Sequence, residues 1–312
     1  MMRWTDPIWR DAALAWADEQ VVRLGHRVTG SPDQFHVRPW STVIRIPTTD
    51  GDTYLKAVPE ALAHEIGLTS WLAANFPDRV LPVLAADVSR GLMLLPDGGP
   101  RLREAPTDLR GWERLVAEYA ELQLLVAPHV DELLALGVPD RRLSRLPDAL
   151  AAVLPAGDEA VVRYRELCAR LAALGLPETL QMDDLHDGNV FVQGDRRRVF
   201  DWGDASISHP FACLEMILAT FAETWEVDRD APAVERVREA YLEPFRALAT
   251  PGVLRRAAAL AGRVVPTVRI LAWQLAHHGA PPEEITGAWG ETLPELIEAQ
   301  LAALRDGRDG AR

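Results

Sequence analysis

The spacing of apolar and polar positions changes character several times along the chain. Asp6 followed by Pro7 predicts a helix start, with an acidic cap and a proline in the first turn. From about Val28 the period shortens to two. His36-Val37-Arg38 and Thr42-Val43-Ile44-Arg45-Ile46 alternate as strands, and Thr49-Asp50-Gly51-Asp52 supplies a hairpin turn before Thr53-Tyr54-Leu55-Lys56-Ala57. A helix is predicted from Pro59 to about Asn75, then two strand-like runs, Val83 to Val88 and Gly91 to Leu95. Pro96-Asp97-Gly98-Gly99-Pro100 continues neither a helix nor a strand and reads as a boundary or hinge.

Beyond Gly99 the pattern turns helical. Trp112, Leu115, Val116 and Tyr119 fall at helical spacing, as do Tyr164, Leu167, Cys168 and Leu171. A β-like island interrupts between Thr179 and Ala205, and helices resume at Pro210 with breaks at Pro251-Gly252 and from Gly279 to Pro282. The expected fold class is α+β. A small sheet bearing one helix fills residues 1–97, and a larger, mainly helical part fills 98–312.

Composition narrows the function classes. Of 312 residues 48% are hydrophobic and 25% charged, which suits a folded globular chain. A formal net charge of −13 argues against nucleic acid or an anionic membrane as partner, since both select clustered Lys and Arg. Cys168 and Cys213 lie inside apolar helical patterns, with no metal-ligand spacing around them, and read as buried reduced thiols. No run of about eighteen apolar residues occurs. The expectation is a cytoplasmic protein.

The island carries the chemistry. Leu180-Gln181-Met182-Asp183-Asp184-Leu185-His186-Asp187-Gly188-Asn189-Val190-Phe191-Val192 is followed by a turn at Gln193-Gly194-Asp195 and by Val199-Phe200-Asp201-Trp202-Gly203-Asp204. Two apolar strands joined by a tight turn would bring Asp184 and Asn189, at the start of one, to the same end as Asp201, at the exit of the other. Phosphoryl transfer to an alcohol needs a carboxylate to take the hydroxyl proton and oxygens to hold Mg²⁺ on the phosphates. Magnesium is satisfied by one or two carboxylates with phosphate and water oxygens, which Asn189 and Asp201 could complete.

The D-L-H-x-G-N pattern at Asp184 to Asn189, with D-W-G-D at Asp201 to Asp204, resembles the Brenner-type motif of the aminoglycoside phosphotransferase family. That family is related to choline kinases and, more distantly, to protein kinases. The resemblance implies a bilobal protein kinase-like fold, with Asp184 as catalytic base and Asn189 and Asp201 as metal ligands. It further implies a lysine on the third strand and a glutamate on the following helix. Lys56, the only lysine of the chain, and Glu65 match them, with Glu60 the weaker rival. No GxGxxG joins the first strands; Arg38-Pro39-Trp40-Ser41-Thr42 stands there, where relatives use a Ser/Thr-bearing loop. Ser41 and Thr42 are therefore expected at the phosphates, and the base of ATP or GTP against Leu95 to Asp97.

Two departures accompany the match. Relatives carry His two residues before the catalytic Asp and Gly between them; here Met182 and Asp183 occupy those places. Loss of the histidine, which usually makes structural hydrogen bonds, should loosen the loop at a cost of about 0.5–1.5 kcal/mol per bond without abolishing chemistry. No long activation segment follows Asp204, so a protein substrate is not expected and a small-molecule acceptor is. Glu223, Glu226 and Asp228, with Arg269 and Trp273, are candidates for its surroundings, although surface charge and core packing account for them as well. Beside the small-molecule kinase stands the alternative of a nucleotide-binding pseudokinase in which Met182 marks decay. Nucleotidyl transfer on the same scaffold is a third reading.

Overall fold

The computed structural model describes residues 3–105, 108–154 and 159–305. Its elements begin with helix α1 (Pro7–Arg23), strands β1 (Asp33–Arg38), β2 (Ser41–Thr48) and β3 (Gly51–Ala57), helix α2 (His64–Asn75), and strands β4 (Ala85–Asp87) and β5 (Leu92–Pro96). Helices α3 (Leu109–Val126), α4 (Val130–Ala135), α5 (Leu146–Val153) and α6 (Glu159–Ala172) follow. Next come strands β6 (Thr179–Met182), β7 (Val190–Gln193), β8 (Arg196–Val199) and β9 (Ala205–Ser208), and then helices α7 (Leu214–Thr224), α8 (Pro232–Leu242), α9 (Pro251–His278) and α10 (Ala288–Arg305). Two compact units result. One gathers the chain up to Arg101 with Val190–Gly203 and Gln274–Glu291; the other gathers Leu102–Asn189, Asp204–Trp273 and the chain from Thr292.

In the first unit five antiparallel strands are ordered β1-β2-β3-β5-β4. Alternation along the strands separates two faces. Ile44, Ile46, Leu55, Ala57, Leu92 and Leu94 pack against Ala13, Trp16, Ala17 and Val21 of α1. Met93 and Leu95, on the other face, join Val58, Leu62, Ile66 and Leu81. Asp6 caps α1 as expected, accepting from the Ile8 amide. Gly91 closes the turn before β5 at φ +66°, and a side chain there would run into the Val58 carbonyl, so both conformation and space demand glycine. The hairpin β7–β8 belongs to this unit and bridges to Val80 and Arg101.

The second unit is helical around one small ladder, β6–β9. Buried Gln123 of α3 donates from Nε2 to the Leu180 and Pro210 carbonyls, and the Tyr241 hydroxyl of α8 donates to its Oε1. Trp112 of α3 meets Phe221 of α7 edge-on. The α+β expectation stands: an antiparallel sheet near the N-terminus and a mostly helical remainder.

Several local expectations are corrected. Ala205–Ser208, lying between the end of the expected island and the helix expected at Pro210, is a strand paired with β6. Four residues with two serines carry no readable period, and the partner strand lies far back in the chain. Pro210–Cys213 is a 3₁₀ turn, so the helix proper starts at Leu214. The helix expected from Pro59 starts at His64, after a 3₁₀ turn at Glu60–Leu62. A further break separates α7 from α8. Among the described residues no helix is long and apolar enough to cross a membrane.

Candidate active site

Lys56 lies on β3 beside Leu55, whose side chain enters the α1 core, so alternation turns Lys56 to the opposite face. There the buried Lys56 Nζ donates to Glu65 Oε1 of α2 and to Asp201 Oδ1, both at 2.5 Å. Burial by itself lowers the Lys56 pKa, but attraction from Asp201 and Glu65 outweighs it and the value is raised. The ammonium therefore remains charged. The same burial raises the Glu65 carboxyl, against the pull of Lys56. Asp201, just after β8, adopts the left-handed region at φ +67°, rare for a residue with a side chain and characteristic of functional turns. Gly203 follows closely; a Cβ there would sit 3.2 Å from Glu65 Oε2.

The second constellation is the loop after β6. Asn189 Nδ2 donates to the Asp184 carbonyl at 3.0 Å and approaches Asp184 Oδ2 at 3.4 Å. The Asp184 side chain is 44% exposed, as a group meeting a substrate must be. His186, which carried no role in the sequence pattern, orders this loop. Its Nδ1 receives the Gly188 amide and an Arg103 Nη2 hydrogen, both at 2.9 Å. Two donors converging on Nδ1 fix the ring proton on Nε2, which lies 3.4 Å from Asp184 Oδ2. Arg103 also holds buried Asp187 at 3.0 Å, and a side chain at Gly188 would overlap its guanidinium. Nothing local in the sequence marks Arg103, which sits 83 residues before His186.

Where relatives carry His-Gly, the loop has other anchors. Met182 is fully buried, and its amide donates to the Tyr119 hydroxyl at 2.8 Å. Asp183 is buried with Oδ2 3.6 Å from Arg269 Nη1, while Oδ1 has no hydrogen-bond partner. Burial pushes the Asp183 pKa up to about 6; Arg269 and Arg141 pull it down, and Asp184 adds repulsion. Arg141 is itself buried, and desolvation brings its pKa down to about 10. Arg269, expected near an acceptor, is thus engaged with the loop after β6. Trp273 stands one turn further along α9, and Glu223, Glu226 and Asp228 are exposed.

The remaining candidates divide. Ser41 shares the Lys56 face, since it stands two residues before Val43, the direct partner of Lys56. Thr42 turns the other way: it is 0% exposed and its hydroxyl donates to the His36 carbonyl while accepting from Gln34. No hydroxyl hydrogen remains there for a phosphate, so the expectation for the Thr42 side chain is withdrawn. Leu95 lies in the apolar cluster of the Lys56 face, flanked by Tyr54 and Phe191. Asp97 is exposed and accepts the Gly99 amide in a tight turn.

The donor types suit a hard cation. Only an N–H can satisfy the Asp184 carbonyl, so the Asn189 amide oxygen points away from it, the end a magnesium ion uses. Among the described residues no three His, Cys, Asp or Glu side chains form a metal cage. An ion held by one or two protein oxygens together with substrate phosphates needs none.

Against known proteins, a family model described as "Phosphotransferase enzyme family" matches residues 30–260. No curated protein is similar enough in sequence to count as a relative. A choline/ethanolamine kinase family protein from Mesorhizobium loti is similar in structure at 16% identity, covering 95% of this chain and 100% of its own, with a TM-score of 0.58. Macrolide 2'-phosphotransferase MphH from Brachybacterium faecium gives 16%, 94%, 99% and 0.55 on the same measures. The aminoglycoside phosphotransferase APH(3'')-Id from Streptomyces rimosus, solved with ADP and streptomycin, gives 19%, 80%, 98% and 0.50.

Proposed function

Because the chain belongs to the phosphotransferase enzyme family, we propose that it moves the γ-phosphoryl group of ATP or GTP to a hydroxyl of a small molecule, with Mg²⁺ bound. One observation carries this reading: Lys56, the sole lysine, is buried between a helix glutamate and Asp201. An ammonium held in place by Glu65 is the group that orients the nucleotide phosphates in kinase-type transfer. Leu95 and the apolar cluster around it support the base, next to Asp97, and Ser41 lies toward the phosphates. Residues 1–97 serve the nucleotide, and 98–312 carry the catalytic loop and the acceptor.

Asp184 accepts the proton of the attacking hydroxyl. Its carboxylate is oriented by the His186 Nε2–H and by Asn189 Nδ2, so one oxygen is held while the side chain stays open to a substrate. Asn189 Oδ1 and Asp201 would hold the metal, which when bound neutralises charge on the phosphates. The pseudokinase alternative leans on Met182. Its amide is bonded to Tyr119 and its neighbour Asp183 faces Arg269, so the substitution does not leave the loop unanchored. Burial of Cys168 and Cys213 as free thiols suits a reducing, cytoplasmic setting.

The test is a nucleotide-consumption screen over amino-alcohols, aminoglycosides, macrolides and sugars, with Asp201→Ala as blank. Mg²⁺-dependent release of nucleoside diphosphate with one acceptor class is expected, and Asp184→Ala should lower it by 10²–10⁴-fold while the fold persists. Thermal stabilisation by ATP and Mg²⁺ without transfer to any acceptor would favour the pseudokinase. A product heavier by a nucleotidyl group would establish the third reading.

A further inference from the structure

Strand β1 does not run in uniform register with β2. Asp33 lies opposite Arg45, but His36 lies opposite Val43, so one extra residue sits between those pairs on β1. A bulge of this kind re-aims side chains, and such bulges gather near active sites. In unbroken register Phe35 would face Val43. Instead His36 does, and Val43 in turn faces Lys56 on β3. Directly opposed residues share a face, so His36, Val43 and Lys56 form one row across three strands.

Phe35 remains on that face too. Its ring stands edge-on to Tyr54, 6.2 Å between centroids, and Tyr54 precedes Lys56 by two positions. Val37, the next residue, packs toward α1 on the reverse side. The bulge thus places two consecutive side chains, an exposed aromatic ring and an imidazole, beside the lysine that orients phosphates.

The charges around His36 point to an anion. Burial lowers its pKa first; Arg38, Lys56 and Arg101 lower it further, and Asp201 alone among its charged neighbours opposes them. Three cations thus stand against one carboxylate around a half-buried ring. The ring makes one polar contact among the described residues, Nε2 to Ser41 Oγ at a long 3.5 Å. Ser41 is on the same face, immediately after the two-residue turn that joins β1 to β2.

We infer that His36 is a nucleotide-binding residue, with its imidazole Nε2, beside Ser41 Oγ, donating to an oxygen of the terminal phosphates. This rests on the nucleotide reading above and extends it to a residue on β1, one strand beyond the loop hydroxyl and two beyond Lys56. The imidazole supplies a donor that the glycine-free turn does not offer through a side chain of its own at Pro39.

The test measures binding, with the full chain and Mg²⁺, by isothermal titration. Ligands are a non-hydrolysable ATP analogue, its GTP counterpart and AMP. His36→Ala should weaken the triphosphate by roughly 10-fold or more, the loss of one hydrogen bond to a charged acceptor, and leave AMP within about twofold. His36→Gln, whose amide still donates, should recover most of the affinity. Equal triphosphate affinity in wild type and His36→Ala overturns the inference while leaving the nucleotide reading intact. Equal losses for AMP and the triphosphate overturn it as well, because they report a displaced strand. A wild-type protein that binds no triphosphate removes the nucleotide reading and this inference with it.

Discussion

Lys56 meets two carboxylates with unequal surroundings: Glu65 is buried, whereas the Asp201 side chain is 47% exposed. Lys56→Met should therefore destabilise the protein by about 3–5 kcal/mol, since it strands a buried carboxylate, and Asp201→Ala by much less. Urea midpoints of the two variants distinguish them, and equal midpoints would refute the assignment. Lys56→Arg should not restore activity, because a planar five-donor fork does not replace a compact ammonium between two acids. Asp183 gives a pH signature. Its folded pKa, about 6, is raised above the unfolded value, so folding favours the protonated acid. That contribution is complete below about pH 4 and is lost as the pH rises through about 6. Wild type should lose on the order of 3 kcal/mol relative to Asp183→Asn between those limits, read from urea titrations at both ends. An unchanged difference would mean Asp183 titrates normally. At this scale Asp184, Asn189 and Asp201 are legible in the sequence because they sit in short patterns with a chemical reason, and Lys56 and Glu65 because the resemblance asks for a lysine on the third strand and a glutamate on the next helix. His36, Arg103 and the tautomer of His186 are not: a bulge places the first, and hydrogen bonds from distant residues define the others.

Elements with a sustained period are read directly from the chain, as α3, α6 and the β2–β3 hairpin illustrate, whereas α1 is marked by its Asp6 cap and Pro7. Strand β9 escapes because Ala-Ser-Ile-Ser is as buried as its partner β6 on both faces and owes its conformation to pairing alone. That ladder depends on Gln123, whose amide holds the Leu180 carbonyl at the strand and the Pro210 carbonyl beyond β9. Gln123→Leu leaves the Leu180 carbonyl buried without its donor, at about 1–3 kcal/mol, while the Tyr241 hydroxyl still reaches the Pro210 carbonyl at 2.6 Å. A fall in the urea midpoint with unchanged nucleotide affinity is expected, because these groups lie in the unit that does not contain Lys56. A stable Gln123→Leu would show that other donors hold the ladder. Gly188→Ala should act oppositely, displacing Arg103 from His186 and Asp187 and reducing turnover more than stability.

For the whole molecule, the residues proposed to bind nucleotide and those proposed to move the proton fall in different units of one chain. Lys56, Glu65, Leu95 and Asp201 belong to the first unit; the proposed base Asp184 belongs to the second, as does Asn189, the other proposed metal ligand, and the chain passes between the units at Asn189 and again at Gly203. The island that looks continuous in sequence is thus divided, since its hairpin packs with the sheet and its loop with the helices. Binding and chemistry should then separate on mutation. A ligand at 100 times its dissociation constant stabilises the folded state by about 2.7 kcal/mol, which for a chain of this size raises the melting temperature by roughly 4 °C. ATP with Mg²⁺ should produce that rise in wild type and in Asp184→Ala, although the latter turns over little. Lys56→Met and Asp201→Ala should each lose most of the rise, measured from their own lower starting points. If Asp184→Ala abolishes the rise as completely as Asp201→Ala does, removing the base also removes nucleotide binding and the separation fails.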